Sequence, residues 1–156
     1  MAGGVERFAA AAAAGGVAVE VARFPEGTRT AEDAARAVGC ALGQIVKSLV
    51  FVADGQPVLA LVAGGNRADL DRIAGVLGVG EVRRASADEA RAATGYAIGG
   101  TPPFGHERRL RTLVDRDLLG HEVVWAAAGA PDAVFPIVPV ELLRASGGEP
   151  ADLRET

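Results

Sequence analysis

Of the 16 Lys and Arg side chains in this sequence only one is a lysine, Lys47. A bias toward arginine accounts for the exposed cations. It does not account for the lysine, nor for its place inside the apolar run Ile45-Val46-Lys47-Ser48-Leu49-Val50-Phe51-Val52. Arginine is bulky, planar and permanently charged, whereas lysine is a compact ammonium that can lose its proton when desolvated. Strand alternation puts Lys47 on one face with Leu49 and Phe51, where an ammonium needs a partner or a cavity. The alternative is an edge-strand lysine whose stem covers apolar surface while its head reaches water. Ser48 follows directly, but adjacent strand side chains point to opposite faces, so Lys47 is badly placed to activate it as a nucleophile.

A second constellation is Gly95-Tyr96-Ala97-Ile98-Gly99-Gly100-Thr101-Pro102-Pro103-Phe104-Gly105-His106. Glycines leave backbone N–H groups open and allow close approach; prolines stiffen the turn. Such a ribbon can aim donors at a developing oxyanion, where loss of one donor costs ~10²–10³ in rate. The run lacks the Gly-Lys-Ser/Thr ending of a P-loop and does not open a helix after a strand as a dinucleotide fingerprint does. His106 closes it with the side chain that carries protons near neutral pH; contact with substrate and bracing of the loop are both open. Arg109 and Arg111 share a face of the next extended segment, where two guanidinium groups either hold phosphates or are simply solvated. Two histidines, the single Cys40 and no compact carboxylate cluster give no basis for a metal site. Cys40 reads as a small buried hydrophobe, and Trp125 and Phe135, within apolar strands, read as core.

The elements that must position these groups follow from local signals. An amphipathic first helix ends at Gly15-Gly16, and residues 17–22 alternate as a strand. Thr30 caps a helix over residues 31–38 that stops at Gly39. Residues 45–53 give the strongest strand signal; Asp54-Gly55 turns the chain and 57–62 pairs back. A helix follows over 68–77, then a short extended segment over 79–83. Ser86 and Glu89 form a capping box for a helix ending at Thr94-Gly95. Strands are expected over 109–114, 121–127 and 133–138, a helical turn over 115–119, and a closing helix over 139–145 with proline in its first turn. The polar tail from Gly147 reads as loose. Interspersed strands, helices and hairpins favour an α/β fold with a mixed sheet and helices packed on it.

A length of 156 residues suits a single domain over 1–156 with its core at about 17–145, and 49% hydrophobic against 23% charged residues is a globular balance. The net charge of −4 argues against a protein that coats nucleic acid through a basic face, though not against a nucleic-acid end as substrate. One cysteine allows no internal disulfide, which fits a reducing compartment and a cytoplasmic location. No stretch reads as a signal peptide or a membrane helix, so no membrane partner is expected.

The lysine strand Gly43-Gln44-Ile45-Val46-Lys47-Ser48-Leu49-Val50-Phe51, the hairpin into Leu59-Ala60-Leu61-Val62, then Gly64-Gly65-Asn66 and the loop from Gly95 to Gly105 together resemble the YbaK / prolyl-tRNA-synthetase-associated domain family. The resemblance covers roughly residues 17–143. It implies a mixed, largely antiparallel, curved and barrel-like sheet surrounded by helices. It also implies a trans-acting editing deacylase that cleaves the aminoacyl ester of mischarged tRNA, tRNA for proline by family analogy. Lys47 would hold the terminal nucleotide, at phosphate, rather than attack; Gly99, Gly100 and Gly105 would supply backbone contacts to the aminoacyl carbonyl; and water activation would lean on the substrate's own ribose hydroxyl. Ser48, Thr101, Pro103, Phe104, His106 and Arg109 are the implied substrate contacts, with Val21 and Phe24 as candidates for the amino-acid sieve. The implied partners are the acceptor end of aminoacyl-tRNA and prolyl-tRNA synthetase, with no DNA and no cofactor. Two other readings share Lys47: a non-catalytic module that binds an aminoacyl end or a nucleotide, and a Schiff-base enzyme acting on a small carbonyl compound.

Overall fold

The computed structural model describes residues 3–156. Its centre is the hairpin of β2 (Ile45–Ala53) and β3 (Gln56–Ala63), paired from Val46↔Ala63 to Ala53↔Gln56. Asp54 and Gly55 both take positive φ, 46° and 82°. This is the turn whose twist suits a two-residue hairpin. β5 (Arg111–Asp115) lies parallel to β3, and β8 (Glu149–Ala151) lies parallel to β5. On the other side β6 (Val124–Ala127) runs parallel to the start of β2. β7 (Ala133–Ile137) and the two-residue β1 (Ala22–Arg23) extend that side antiparallel, while β4 (Val82–Arg84) pairs with the end of β2. The sheet is therefore mixed, and its longest ladder is antiparallel.

Among the described residues five helices surround it: α1 (Gly4–Ala14), α2 (Ala31–Val38), α3 (Leu70–Leu77), α4 (Ala87–Thr94) and α5 (Pro139–Ser146). Their boundaries are chemical. The Thr30 hydroxyl accepts the Asp33 N–H at 3.0 Å, and Ser86 and Glu89 exchange hydrogen bonds in a capping box. The third helix starts at Leu70 rather than residue 68, because the Asp69 carboxylate caps the Asp71 and Arg72 N–H groups.

The two faces of the β2–β3 hairpin are covered differently. Val46, Leu59 and Leu61 belong to one large cluster with Phe8 of α1, Phe104 and Phe135. The opposite face is split in two. Ile45 packs with Ala34 and Ala35 of α2, while Leu49 and Phe51 pack with Ile73 and Leu77 of α3. Lys47 lies between these two groups by alternation.

Besides that helix start, two expectations change. Residues 17–21, read as strand, are not; only Ala22 and Arg23 pair, because β7 offers partners to those two alone. The tail from Gly147, read as loose, adds β8 to the sheet edge and buries Leu153 completely, with Asp152 paired to Arg72 of α3. Among the described residues no helix is long and apolar enough to cross a membrane.

Candidate active site

β3 covers one edge of β2 along its whole length. The other edge is shared: β6 pairs with Ile45 and Val46, and β4 with residues 51–53, so residues 47–50 have no strand beside them. Backbone polar groups alternate in direction along a strand. The Ile45 carbonyl accepts from Gly64 on the β3 side, and the Val50 carbonyl accepts from Ala85 on the other side. Ser48, two residues before Val50, therefore turns its N–H and C=O toward the unpaired edge. A cavity of about 540 Å³ is lined by this stretch. Ile45, Lys47 and Leu49 line it together with Ala31 and Ala34 of α2; Val46, Ser48 and Val50 line it together with Gly99 and Thr101.

Lys47 is half-buried, and its Nζ donates to the Asn66 carbonyl. Burial pushes its ammonium below the ordinary lysine value; Arg84 and Arg67 push the same way, against Glu32 and Asp115. Asn66 is itself held. Its side-chain amide donates to Asp115 at 2.9 Å and to Asp117 at 2.8 Å. The Asp115 carboxylate is buried at the end of β5 and also accepts the Ala63 and Asp117 N–H groups, both at 3.0 Å. This network anchors the carbonyl that receives the lysine. Gly64 permits the tight turn before it, since a Cβ there would lie 2.4 Å from the Leu42 carbonyl oxygen. The charged side chains lining the cavity are Lys47, Arg29 and Arg84; no carboxylate lines it, and neither arginine has an ion-pair partner among the described residues.

The Gly/Pro segment divides at Thr101. Ile98, Gly99 and Thr101 line the cavity, with Ile98 58% exposed at its lip. The Gly100 N–H donates to Ala97, and Thr101 Oγ1 donates to the same carbonyl at 3.1 Å. The N–H groups of Ile98, Gly99 and Thr101 have no hydrogen-bond partner among the described residues. Gly100 lies behind them, accepts from Gly129, and approaches the Ala130 backbone so closely that a Cβ would sit 2.8 Å from it. It does not line the cavity.

The second half of the segment faces elsewhere. Phe104 is a core residue, with its ring centroid 5.3 Å from Phe8 and 5.9 Å from Phe135. Gly105 packs on Ala11 and Phe8 of α1. The His106 ring hydrogen-bonds the Pro102 carbonyl at 2.7 Å, and burial keeps its pKa below the ordinary imidazole value. Pro103, Phe104, Gly105, His106 and Arg109 border a separate cleft of about 370 Å³ between α1 and α5. Chain direction causes the separation: after Pro102 the backbone turns inward to bury Phe104.

Val21 and Phe24, expected at the sieve, pack against the core instead, Val21 with the aromatic cluster and Phe24 beside α2. Their place at the cavity wall is taken by Thr28, Arg29 and Thr30. Trp125, read as core, lines the cavity half-buried. Asp115 was not singled out from the sequence, although a carboxylate closing the apolar run Leu113-Val114 was a signal for it. Among the described residues no group of three His, Cys, Asp or Glu is placed to hold a metal ion.

Residues 25–145 match the aminoacyl-tRNA editing domain. YwhH of Bacillus subtilis (strain 168) is 32% identical over 124 residues, 79% of this chain and 78% of that protein. The proline–tRNA ligase of Nitratidesulfovibrio vulgaris (strain DP4) is 33% identical over 129 residues, 82% of this chain but only 22% of the ligase. A crystal structure of a candidate trans-editing enzyme for prolyl tRNA synthetase superposes with a TM-score of 0.94 at 45% identity, covering 100% of this chain and 99% of that one.

Proposed function

This chain belongs to the aminoacyl-tRNA editing domain family, and we propose that it hydrolyses the ester joining a wrongly attached amino acid to the end of a tRNA. The observation that carries this reading is the charge of the cavity. A protein of net charge −4 keeps its single lysine and two arginines, unpaired among the described residues, around one cavity whose other lining is apolar or hydroxyl-bearing, with no carboxylate among the described lining residues. That arrangement suits the phosphates of a nucleic-acid end followed by a small, mostly apolar group.

In this reading the Lys47 ammonium holds the terminal nucleotide at phosphate, with Arg29 and Arg84 flanking it. The free N–H groups of Ile98, Gly99 and Thr101 turn toward the ester carbonyl. Water adds to the carbonyl carbon, the carbonyl oxygen takes up negative charge beside those donors, and collapse breaks the bond to the ribose oxygen, which leaves with a proton. As the family resemblance implies, the neighbouring ribose hydroxyl of the substrate relays the proton, taking one from the water and passing its own to the leaving ribose oxygen; among the described residues no His, Cys, Asp or Glu lines the cavity. The need for such a cavity is energetic: a synthetase gains only ~1–3 kcal/mol per methylene when it discriminates by binding alone.

The similarity to part of a proline–tRNA ligase and to a candidate trans-editing enzyme supports tRNA for proline as the substrate and prolyl-tRNA synthetase as a cytoplasmic partner. The test is a panel of tRNAs in which the amino acid and the tRNA are varied separately, with release of free amino acid as the readout. Turnover on small non-cognate esters of tRNA for proline is expected. Saturable binding without release would make the chain a binding module instead.

A further inference from the structure

Ser48 lines the cavity with polar groups that lack partners. Its N–H and C=O face the edge of β2 between β6 and β4, where no strand receives them. Its Oγ is buried and, among the described residues, has no hydrogen-bond partner. Native proteins satisfy nearly all buried polar atoms, so an orphan of this kind asks for a ligand. Its immediate strand neighbours are apolar: Val46 and Val50 flank Ser48 on the same face, and Leu61 is its cross-strand partner.

Resting on the editing reading above, we propose that Ser48 is a specificity-determining residue and that the amino acid removed is a small one bearing a side-chain hydroxyl, a seryl or threonyl ester rather than an alanyl one. A hydroxyl both donates and accepts. Ser48 offers the matching set: an N–H that donates, a C=O that accepts, and an Oγ that does either. A turn about χ1 between staggered wells brings that Oγ to the opening. Lys47 and Ser48 point to opposite faces of β2, so the nucleotide and the side chain of the substrate occupy different ends of one cavity. An alanyl group would leave the Ser48 groups unpaired. Sites built around a substrate hydroxyl reject the analogue lacking it by up to ~10⁴–10⁵ when every partner is buried. With one side of this cavity open, a preference of at least ~10-fold is expected here.

The experiment measures kcat/KM on one tRNA charged in turn with serine, threonine, cysteine and alanine, for the wild-type chain, Ser48→Ala and Ser48→Thr. The expected result is a serine-to-alanine ratio of about 10 or more in the wild type, a ratio near one in Ser48→Ala, and a restored preference in Ser48→Thr. A wild-type ratio at or below one overturns the proposal, whatever the variants do. So does a Ser48→Ala ratio equal to that of the wild type. Failure of the editing reading looks different, since no ester of the four is then hydrolysed by the wild-type chain.

Discussion

Residues 97–101 and 102–106 form one continuous Gly/Pro-rich stretch, yet the two halves sit in unlike surroundings. Ile98, Gly99 and Thr101 line the cavity of Lys47, and their N–H groups have no hydrogen-bond partner among the described residues. Phe104 and Gly105 are packed against α1, and His106 bonds back to the same loop. The first half is held open over space and the second is clamped into the core. Glycine and proline content marks a backbone of unusual shape; what that backbone can do depends on what lies opposite it. The rear half is best understood as the anchor that lets the front half keep its donors free.

This contrast can be broken at several points. The largest expected effect is on stability. Phe104→Ala removes one ring of the Phe8–Phe104–Phe135 cluster and should cost about 3–5 kcal/mol in denaturant unfolding. A loss below ~1 kcal/mol would mean the rear half is not an anchor. Next is Gly99→Ala. Gly99 has a φ of +91°, and a Cβ there would lie 2.9 Å from Arg29 Cγ. The strain displaces the front donors, so the deacylation rate should fall by ~10²-fold with a smaller loss of stability than Phe104→Ala. The reverse ordering of the two variants would erase the distinction between the halves.

The cavity and the rear half of the loop also differ in their response to pH. Burial lowers the Lys47 pKa from its ordinary 10.5. Binding of a non-hydrolysable aminoacyl-nucleotide analogue should therefore be full below that lowered pKa and fade as pH rises through it, earlier than an exposed lysine would allow; titrating the dissociation constant from neutral to alkaline pH checks this. His106 in the rear half is lowered from 6.5, chiefly by burial, against the Pro102 carbonyl bond. The unfolded chain then takes the proton first, so the contribution of this residue to stability is complete above about 6.5 and is lost as pH falls toward the lower folded value. This smallest effect should appear as a melting temperature that drops between pH 7 and pH 5 and drops less in His106→Gln.

What could be read without coordinates was whatever is specified locally. Thr30, Ser86 and Gly39 define helix ends through bonds to residues within a turn, and Asp54-Gly55 defines the hairpin that exposes Lys47. The lysine itself was visible because it is chemically odd for its neighbours. The remaining walls depend on long-range pairing. Arg29 and Thr30 reach the cavity because the segment before them is tied to β7 through β1 and to the turn leading into β7 through bonds such as Thr28 N–H to the Pro131 carbonyl. That contact links residues 28 and 131, and no local pattern encodes it. Val21 and Phe24, candidates by the family resemblance alone, pack away from the cavity for the same reason. The gap at Ser48 arises where β6 and β4 part from β2, a property of three strands together.

The claim on which the rest depends is that the cavity of Lys47 is where the ester is cleaved. The most direct test is Lys47→Ala, assayed on a mischarged tRNA that the wild-type chain turns over, with melting temperature measured alongside. Lys47 is half-buried and makes one hydrogen bond to Asn66, so the variant should fold. The account predicts a fall in kcat/KM of ~10²-fold or more with little change in melting temperature. Wild-type activity in a folded Lys47→Ala protein would contradict it.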